Sequence, residues 1–138
     1  MGAAGGDCAG WRSWVERHGV GCDSVHSSPD HHAARFVCTT DSTMAQFASF
    51  YPGAMSEARE LELSPIVARV GAPSYVLIGR DDPDGMLRHT RQCRHRGYPF
   101  IADPGQQRTF GEGEPIRALR YGAATLFSNW PKSALIGP

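Results

Sequence analysis

The chain has 138 residues, and its 14 Lys and Arg residues are balanced by 14 Asp and Glu residues. This neutral balance gives no electrostatic reason to bind nucleic acid, and no apolar run is long enough to cross a membrane. We therefore expect a soluble, cytoplasmic protein of about one domain, with small molecules or proteins as partners.

The first part of the chain predicts a glycine turn, a helix and a β-hairpin. The glycine-rich residues 2–6 are typical of a turn, here with no strand before it. A helix is predicted over residues 10–18, because apolar side chains recur there at helical spacing: Trp11, Trp14, Val15 and His18. Residues 34–40 and 44–50 are rich in β-forming side chains and flank turn formers, which predicts a hairpin that forms a small sheet of its own.

The second part predicts helices alternating with strands. Residues 56–61 are too polar for a core, and Ser64-Pro65 then begins a helix that Gly71 ends. Asp82-Pro83 begins a longer helix that runs to Gly97. The remaining pattern indicates buried strands at 75–78, 100–102 and 124–127 and a helix at 115–121. Strands alternating with helices predict right-handed βαβ units and a parallel sheet.

Polar residues follow each of these strands, at 79–82, 103–107 and 128–129. The carboxyl ends of parallel strands lie at one edge of the sheet, where open α/β sheets bind ligands. The central stretch is 99–107, a short apolar run that stops in Asp-Pro-Gly-Gln-Gln. The sequence therefore predicts a ligand crevice at this edge.

Several polar side chains at that edge have both a chemical and a structural interpretation. Asp82 is favoured as a helix cap, whereas Asp103 is open between a catalytic acid and a turn residue. Gln106 and Gln107 offer donors and acceptors suited to a sugar hydroxyl or a base edge, although glutamines in loops are usually solvated.

Other clusters favour structural interpretations. The arginines of 88–96, with His89 and His95, suggest an anion patch, but that helix is predicted to bury a different face and to leave the arginines in water. That buried face consists of Met86, Thr90 and Cys93. His31-His32 has no evident partners for a metal site.

The thiols and aromatic rings also have ordinary interpretations. The cysteines form no C-x-x-C pair, so reduced thiols are expected: Cys8, Cys22, Cys38 and Cys93. Phe36, Phe47 and Phe50 are of a type more often found in a core, although an aromatic side chain on a flap can stack on a planar ring.

Three segments closely resemble bacterial adenosine kinases of the ribokinase (PfkB) carbohydrate-kinase family. They are the run from Cys38-Thr-Thr-Asp-Ser-Thr to Ala54-Met-Ser-Glu-Ala58, Ile78-Gly-Arg-Asp-Asp-Pro83 and Ala102-Asp-Pro-Gly-Gln-Gln107. The resemblance implies a partial three-layer α/β/α ribokinase-like domain with a small β lid. It spans residues 1–129, with lid strands at about 34–50 and parallel βα units at about 64–129.

The resemblance also implies an activity. Members of the family transfer the γ-phosphoryl group of ATP, with Mg²⁺, to the 5′-hydroxyl of adenosine or a related nucleoside or sugar. Phe36 and Phe50 match lid aromatics that pack against the purine. Gln106 and Gln107 match a loop beside the substrate, and Asn129 matches an asparagine near the nucleotide phosphates.

The chain departs from the family pattern at both ends. The strands that grip the ribose and the segment that holds the general base are missing, and residues 130–138 look unrelated. We therefore expect an internal fragment with no catalytic residue or metal ligand of its own, which does not phosphorylate adenosine alone. There are three alternatives. The chain could be a non-catalytic module that binds a partner or forms a homodimer through the lid, or it could be a decayed gene remnant. In the third, a neighbouring reading frame supplies the missing part of the kinase.

Overall fold

A computed structural model describes residues 1–103 and 123–126 of the chain. The chain divides into two compact units, of which the first is Met1–Leu61 and the second begins at Glu62. Within the described ranges, no helix is long and apolar enough to span a bilayer.

The first unit opens with strand β1 (Gly2–Gly5), which pairs in parallel with β2 (Val25–Ser28). A 3₁₀ turn (Gly6–Cys8) then leads into helix α1 (Ala9–Arg17). The predicted helix is confirmed, but the glycine turn is wrong for Gly2–Gly5, which is a strand. Its small residues are compatible with a strand because the pairing partner, more than twenty residues later, fixes the extended backbone.

The predicted hairpin is confirmed. Strand β3 (Arg35–Thr40) pairs antiparallel with β4 (Gln46–Tyr51) in a two-stranded sheet of its own. Asp41 holds the turn, since its Oδ1 accepts from the backbone N of Thr43 at 2.8 Å and of Ala45 at 2.9 Å. The Thr43 hydroxyl and these amides keep the pKa of the Asp41 carboxyl below its usual value.

The 3₁₀ segment Gly53–Glu60 completes the first unit. Residues 56–61 were expected to be too polar for a core, and this prediction is wrong for Ala58, which is fully buried together with Ala54. The two small apolar side chains are thus buried although most of the remaining residues of the segment are polar.

The second unit is built from alternating helices and strands, as predicted. Helix α2 (Leu63–Val70) is followed by β5 (Val76–Ile78), α3 (Pro83–Arg96), β6 (Phe100–Ala102) and β7 (Thr125–Leu126). The strands form a sheet in the order β5-β6-β7, and both pairings are parallel. The helix predicted at 115–121 and the tail 130–138 lie outside the described residues.

Helix α3 has the ends that the sequence predicts. The Asp82 side chain accepts from the backbone N of Asp84 and of Gly85, each at 3.1 Å, and Pro83 occupies the first turn. Gly97 ends the helix in the left-handed conformation, with φ of +69°. Helix α2 begins one residue before Ser64, at Leu63.

The core of the second unit lies between α3 and one face of the sheet. Its buried members are Leu63, Ile78, Met86, Cys93, Phe100 and Ala102. The predicted buried face of α3 is confirmed, and burial raises the pKa of the Cys93 thiol. His89 is also buried and so does not belong to an exposed anion patch, because it lies three residues from Met86 and four from Cys93 on the same side of the helix.

The prediction of a fully buried strand at 75–78 is wrong for one of its faces. Ile78 is buried, whereas Tyr75 and Leu77 are 63% and 66% exposed. Alternate residues of a strand point to opposite faces, so β5 contributes one face to the core and presents the other to solvent.

Candidate functional site

The β3–β4 hairpin presents a pair of exposed aromatic rings on one face. Phe36 and Phe50 occupy directly opposite positions, so both side chains lie on the same side of the sheet. They are 64% and 51% exposed. Phe47 pairs with Thr39 and therefore lies on the opposite face, where it is 79% exposed. The register thus brings together the two phenylalanines that the sequence selects and separates them from the third.

Asp7, shortly after β1, anchors the start of the hairpin. Its Oδ1 accepts from the backbone N of Ala33 at 2.8 Å, and its Oδ2 accepts from Nη2 of Arg35 at 2.8 Å. The Ala33 amide and then the Arg35 guanidinium hold the pKa of this carboxyl below its usual value. Asp7 is therefore an ionised anchor that connects the end of β1 to the first residue of β3.

Two glycines make room for the backbone beside that anchor. A Cβ atom at Gly5 would overlap the backbone of His32 and Ala33, and one at Gly53 would overlap the His32 carbonyl oxygen. The same carbonyl accepts from the backbone N of Ala54 at 2.9 Å. The segment that enters the hairpin is thus held between β1 and the 3₁₀ segment by close backbone packing.

Glu57 forms a second anchor, on the side of β2. Its Oε1 accepts from the Ser28 hydroxyl at 2.6 Å and lies 2.8 Å from Nδ1 of His31, while Oε2 lies 2.8 Å from Nε2 of His26. The Ser28 hydroxyl, followed by His31 and His26, holds the pKa of Glu57 below its usual value. His31 therefore contacts a carboxylate rather than serving as half of a metal-binding pair with His32.

Replacement of Glu57 by glutamine is expected to lower the stability of the first unit more at pH 6 than at pH 4. When folding lowers the pKa of a carboxyl group, the ionised group stabilises the fold at every pH above its unfolded-state pKa, which is about 4.3. This contribution is lost as the pH falls through the folded-state pKa. The measurement is the urea midpoint of each variant at both pH values. Glu60→Gln is the matched control, because Glu60 is exposed on the same 3₁₀ segment. A Glu57→Gln effect equal at both pH values would contradict the prediction.

A concave surface lies beside the β1–β2 pair, with a volume of about 250 Å³. Its lining includes residues of α1, such as Trp11 and Arg12, and residues of the two strands, such as Gly5, Val25 and Ser27. This cleft was not predicted from the sequence, although the small residues of the glycine-rich first strand are the signal that could have indicated it.

The carboxyl edge of the β5–β6 sheet places two of the predicted polar clusters side by side. The backbone N of Asp103 donates to the Ile78 carbonyl at 2.9 Å, and Oδ2 of Asp103 lies 3.9 Å from Nε of Arg80. Desolvation raises the pKa of Asp81, which is half-buried. Asp103 thus faces an arginine at this edge of the sheet.

Three predicted site residues lie outside the described residues: Gln106, Gln107 and Asn129. Within residues 1–103 and 123–126, no three His, Cys, Asp or Glu side chains form a group that could hold a metal ion. Asp7 and Glu57 are the site residues that sequence reasoning missed, because their partners are 26 to 31 residues away in the chain.

The arrangement of helices and strands is that of part of the ribokinase-like α/β fold, which confirms the predicted fold class. The chain aligns with the Burkholderia thailandensis nucleoside kinase solved in complex with inosine, at 28% identity and a TM-score of 0.77. It also matches a nucleoside kinase of Methanocaldococcus jannaschii, described as an archaeal member of the ribokinase family (18% identity, TM-score 0.72), and the ribokinase of Giardia lamblia (11%, 0.67). No protein-family model matches the chain.

These alignments cover nearly all of this chain but less than half of its neighbours. They include 91% of this chain and 40% of the Burkholderia kinase, 90% and 40% for the Methanocaldococcus kinase, and 91% and 38% for the Giardia ribokinase. The chain therefore spans about 40% of the length of the solved kinases that it matches. The match at 28% identity supports a kinase-like origin, and the matches at 18% and 11% identity show the shared fold.

Proposed function

We propose that this chain forms the nucleoside-binding side of a ribokinase-type nucleoside kinase, with the β3–β4 hairpin as a lid over the base. The observation that carries the proposal is the pair Phe36 and Phe50, which stand opposite each other on one face of the hairpin and are both exposed. A planar purine stacks favourably on such rings, with about 1–3 kcal/mol per base.

The two carboxylate anchors support this role. Stacking selects a ligand only if the two rings are held in a defined position. Both strands of the hairpin are exposed throughout, so little packing holds the rings in place and the anchors become important. Asp7 holds the start of β3, and Glu57 holds the segment before it through His31. The neighbours supply the ligand class, since the Burkholderia nucleoside kinase was solved with inosine and with ADP-inosine.

The finer assignments rest on the family resemblance. The acceptor would be adenosine or a related nucleoside in purine salvage, and the reaction would move the γ-phosphoryl group of ATP to its 5′-hydroxyl with Mg²⁺. Gln106 and Gln107 would lie beside the acceptor, and Asn129 near the phosphates. Phosphoryl transfer depends on positioning and on neutralising charge, and this chain would contribute the positioning of the nucleoside.

Replacement of Phe36 by alanine is expected to weaken nucleoside binding about 5- to 150-fold, the equivalent of losing 1–3 kcal/mol of stacking. The measurement is calorimetric titration of the chain with adenosine and with inosine. Phe47→Ala is the matched control, because Phe47 is an exposed ring on the opposite face of the same hairpin and is expected to leave the affinity unchanged. A wild-type chain that binds neither nucleoside at millimolar concentration, or variants with equal effects, would refute the proposal.

A second candidate function is pairing of two copies through the hairpin. The face opposite Phe36 is also apolar, since Val37 and Phe47 are 63% and 79% exposed there. Exposed apolar patches of this kind mark protein interaction sites. Light scattering on the same variants separates the two functions. A defined dimer that Phe47→Ala dissociates would favour pairing of two copies. A monomer with normal nucleoside affinity would favour a lid that only binds nucleoside.

A further inference from the structure

The face of the β3–β4 hairpin that carries the aromatic pair continues past these rings toward the turn. Side chains alternate between the two faces of a strand, so every second cross-strand pair lies on this face. The register places three pairs there, in order from the start of the hairpin to its turn: Phe36 with Phe50, Cys38 with Ala48, and Thr40 with Gln46. The face is therefore graded, from an aromatic pair through a small pair to a polar pair.

The opposite face of the hairpin has no such gradient. Each of its pairs combines a polar or charged side chain with an apolar or aromatic one: Arg35 with Tyr51, Val37 with Ser49, and Thr39 with Phe47. On that face an aromatic ring, Phe47, lies close to the turn and is 79% exposed. Polar side chains near the turn are thus a property of the face with the aromatic pair, and not of the hairpin as a whole.

This gradient matches the chemistry of a nucleoside base, which has apolar flat faces and polar edges. Consecutive pairs on one face of the hairpin are about 7 Å apart, which is comparable with the length of a purine ring system. A purine that stacks on Phe36 and Phe50 therefore extends over Cys38 and Ala48, whose small side chains leave room for it. Its far edge then approaches the polar pair.

Gln46 is the longer side chain of the polar pair, and the turn holds the backbone beside it. The backbone N of Ala45 donates to Oδ1 of Asp41 at 2.9 Å, and the backbone N of Asp41 donates to the Ala45 carbonyl at 3.0 Å. Gln46 itself is exposed, and its carboxamide carries both a donor and an acceptor. A polar side chain on a fixed backbone is suited to recognise one edge of a ligand.

We propose that Gln46 determines base specificity in the lid by forming a hydrogen bond with the substituent at position 6 of a purine nucleoside. That substituent lies at the end of the ring system away from the ribose, so it approaches the turn when the ribose lies at the start of the hairpin. The carboxamide accepts from a 6-amino group or donates to a 6-oxo group. Adenosine and inosine therefore both form the bond, and a purine without a substituent at position 6 does not. This inference rests on the proposed nucleoside-binding function.

The test is calorimetric titration of the full 138-residue chain with adenosine, inosine and purine riboside, which has only hydrogen at position 6. We expect the wild-type chain to bind adenosine and inosine about 2- to 12-fold more tightly than purine riboside, the equivalent of one neutral hydrogen bond. Gln46→Ala should bind all three nucleosides with equal affinity. Thr39→Ala is the matched control and should keep the preference, because Thr39 is a polar residue near the turn on the opposite face.

Three results would overturn the role of Gln46: equal affinities of the wild-type chain for the three nucleosides, a preference that persists in Gln46→Ala, or a preference that Thr39→Ala also abolishes. A loss of affinity in Phe36→Ala would still support the lid in each of these cases, whereas a wild-type chain that binds none of the nucleosides refutes both proposals. Hydrogen exchange of the Ala45 amide monitors the turn. If Gln46→Ala exposes that amide, Gln46→Asn decides, because its shorter carboxamide withdraws from the base and should also lose the preference.

Discussion

Replacement of Phe100 by alanine is expected to destabilise the second unit by about 3–5 kcal/mol. Phe100 is 1% exposed, is the largest fully buried side chain in the described ranges, and lies on the central strand β6. Its ring packs in the cluster that joins β5 and β6 to Met86 and Cys93 of α3. Truncation would leave a cavity in that core, and short three-residue strands have little capacity to collapse into it.

Amide hydrogen exchange in α3 measures this effect directly. A loss of 3 kcal/mol or more raises the exchange of the most protected amides about 100-fold or more. Tyr75→Ala is the matched control, because it removes an aromatic ring that is 63% exposed next to the neighbouring strand, and it is expected to leave α3 protected. Comparable exchange in the two variants would show that the core does not depend on the Phe100 ring.

The sequence predicts the second unit well because its signals are local. Asp82-Pro83 and Gly97 carry the chemistry of a helix start and a helix end, and the spacing of Met86 and Cys93 identifies the buried face between them. The same spacing also identifies His89 as buried, a signal that the arginines around it obscured. The exposure of Leu77 is not local, since it depends on which helices cover the second face of the sheet.

The first unit is predicted less completely, because its contacts are distant in sequence. The glycines of β1 have no strand propensity of their own, and their pairing with the polar segment Val25–Ser28 is a tertiary effect. The hairpin was predictable from its β-forming residues and its turn chemistry, and the Phe36–Phe50 pair was predictable from the family resemblance alone. Its anchors, Asp7 and Glu57, were not, because nothing near either residue indicates its partners.

Replacement of Gly5 by alanine is expected to destabilise the first unit by about 3 kcal/mol and to displace the start of the hairpin. The added Cβ would overlap the backbone of His32 and Ala33, as well as Oδ1 of Asp7. A side chain can rotate away from such an overlap, but a backbone held by hydrogen bonds must move as a whole. The Ala33 N to Asp7 Oδ1 bond of 2.8 Å is therefore expected to break.

Gly2→Ala is the matched control, since Gly2 lies on the same strand and a Cβ there meets nothing within 4 Å. It is expected to change stability by about 0.5 kcal/mol or less. The measurements are the urea midpoint, the hydrogen exchange of the Ala33 amide and the affinity for adenosine. If contacts at the start of the hairpin position the lid, Gly5→Ala weakens nucleoside binding although Phe36 and Phe50 are unchanged. Normal affinity combined with rapid exchange at Ala33 would show that the aromatic pair binds nucleoside even when the start of the hairpin is not held in place. That result would remove Asp7 from the proposed site.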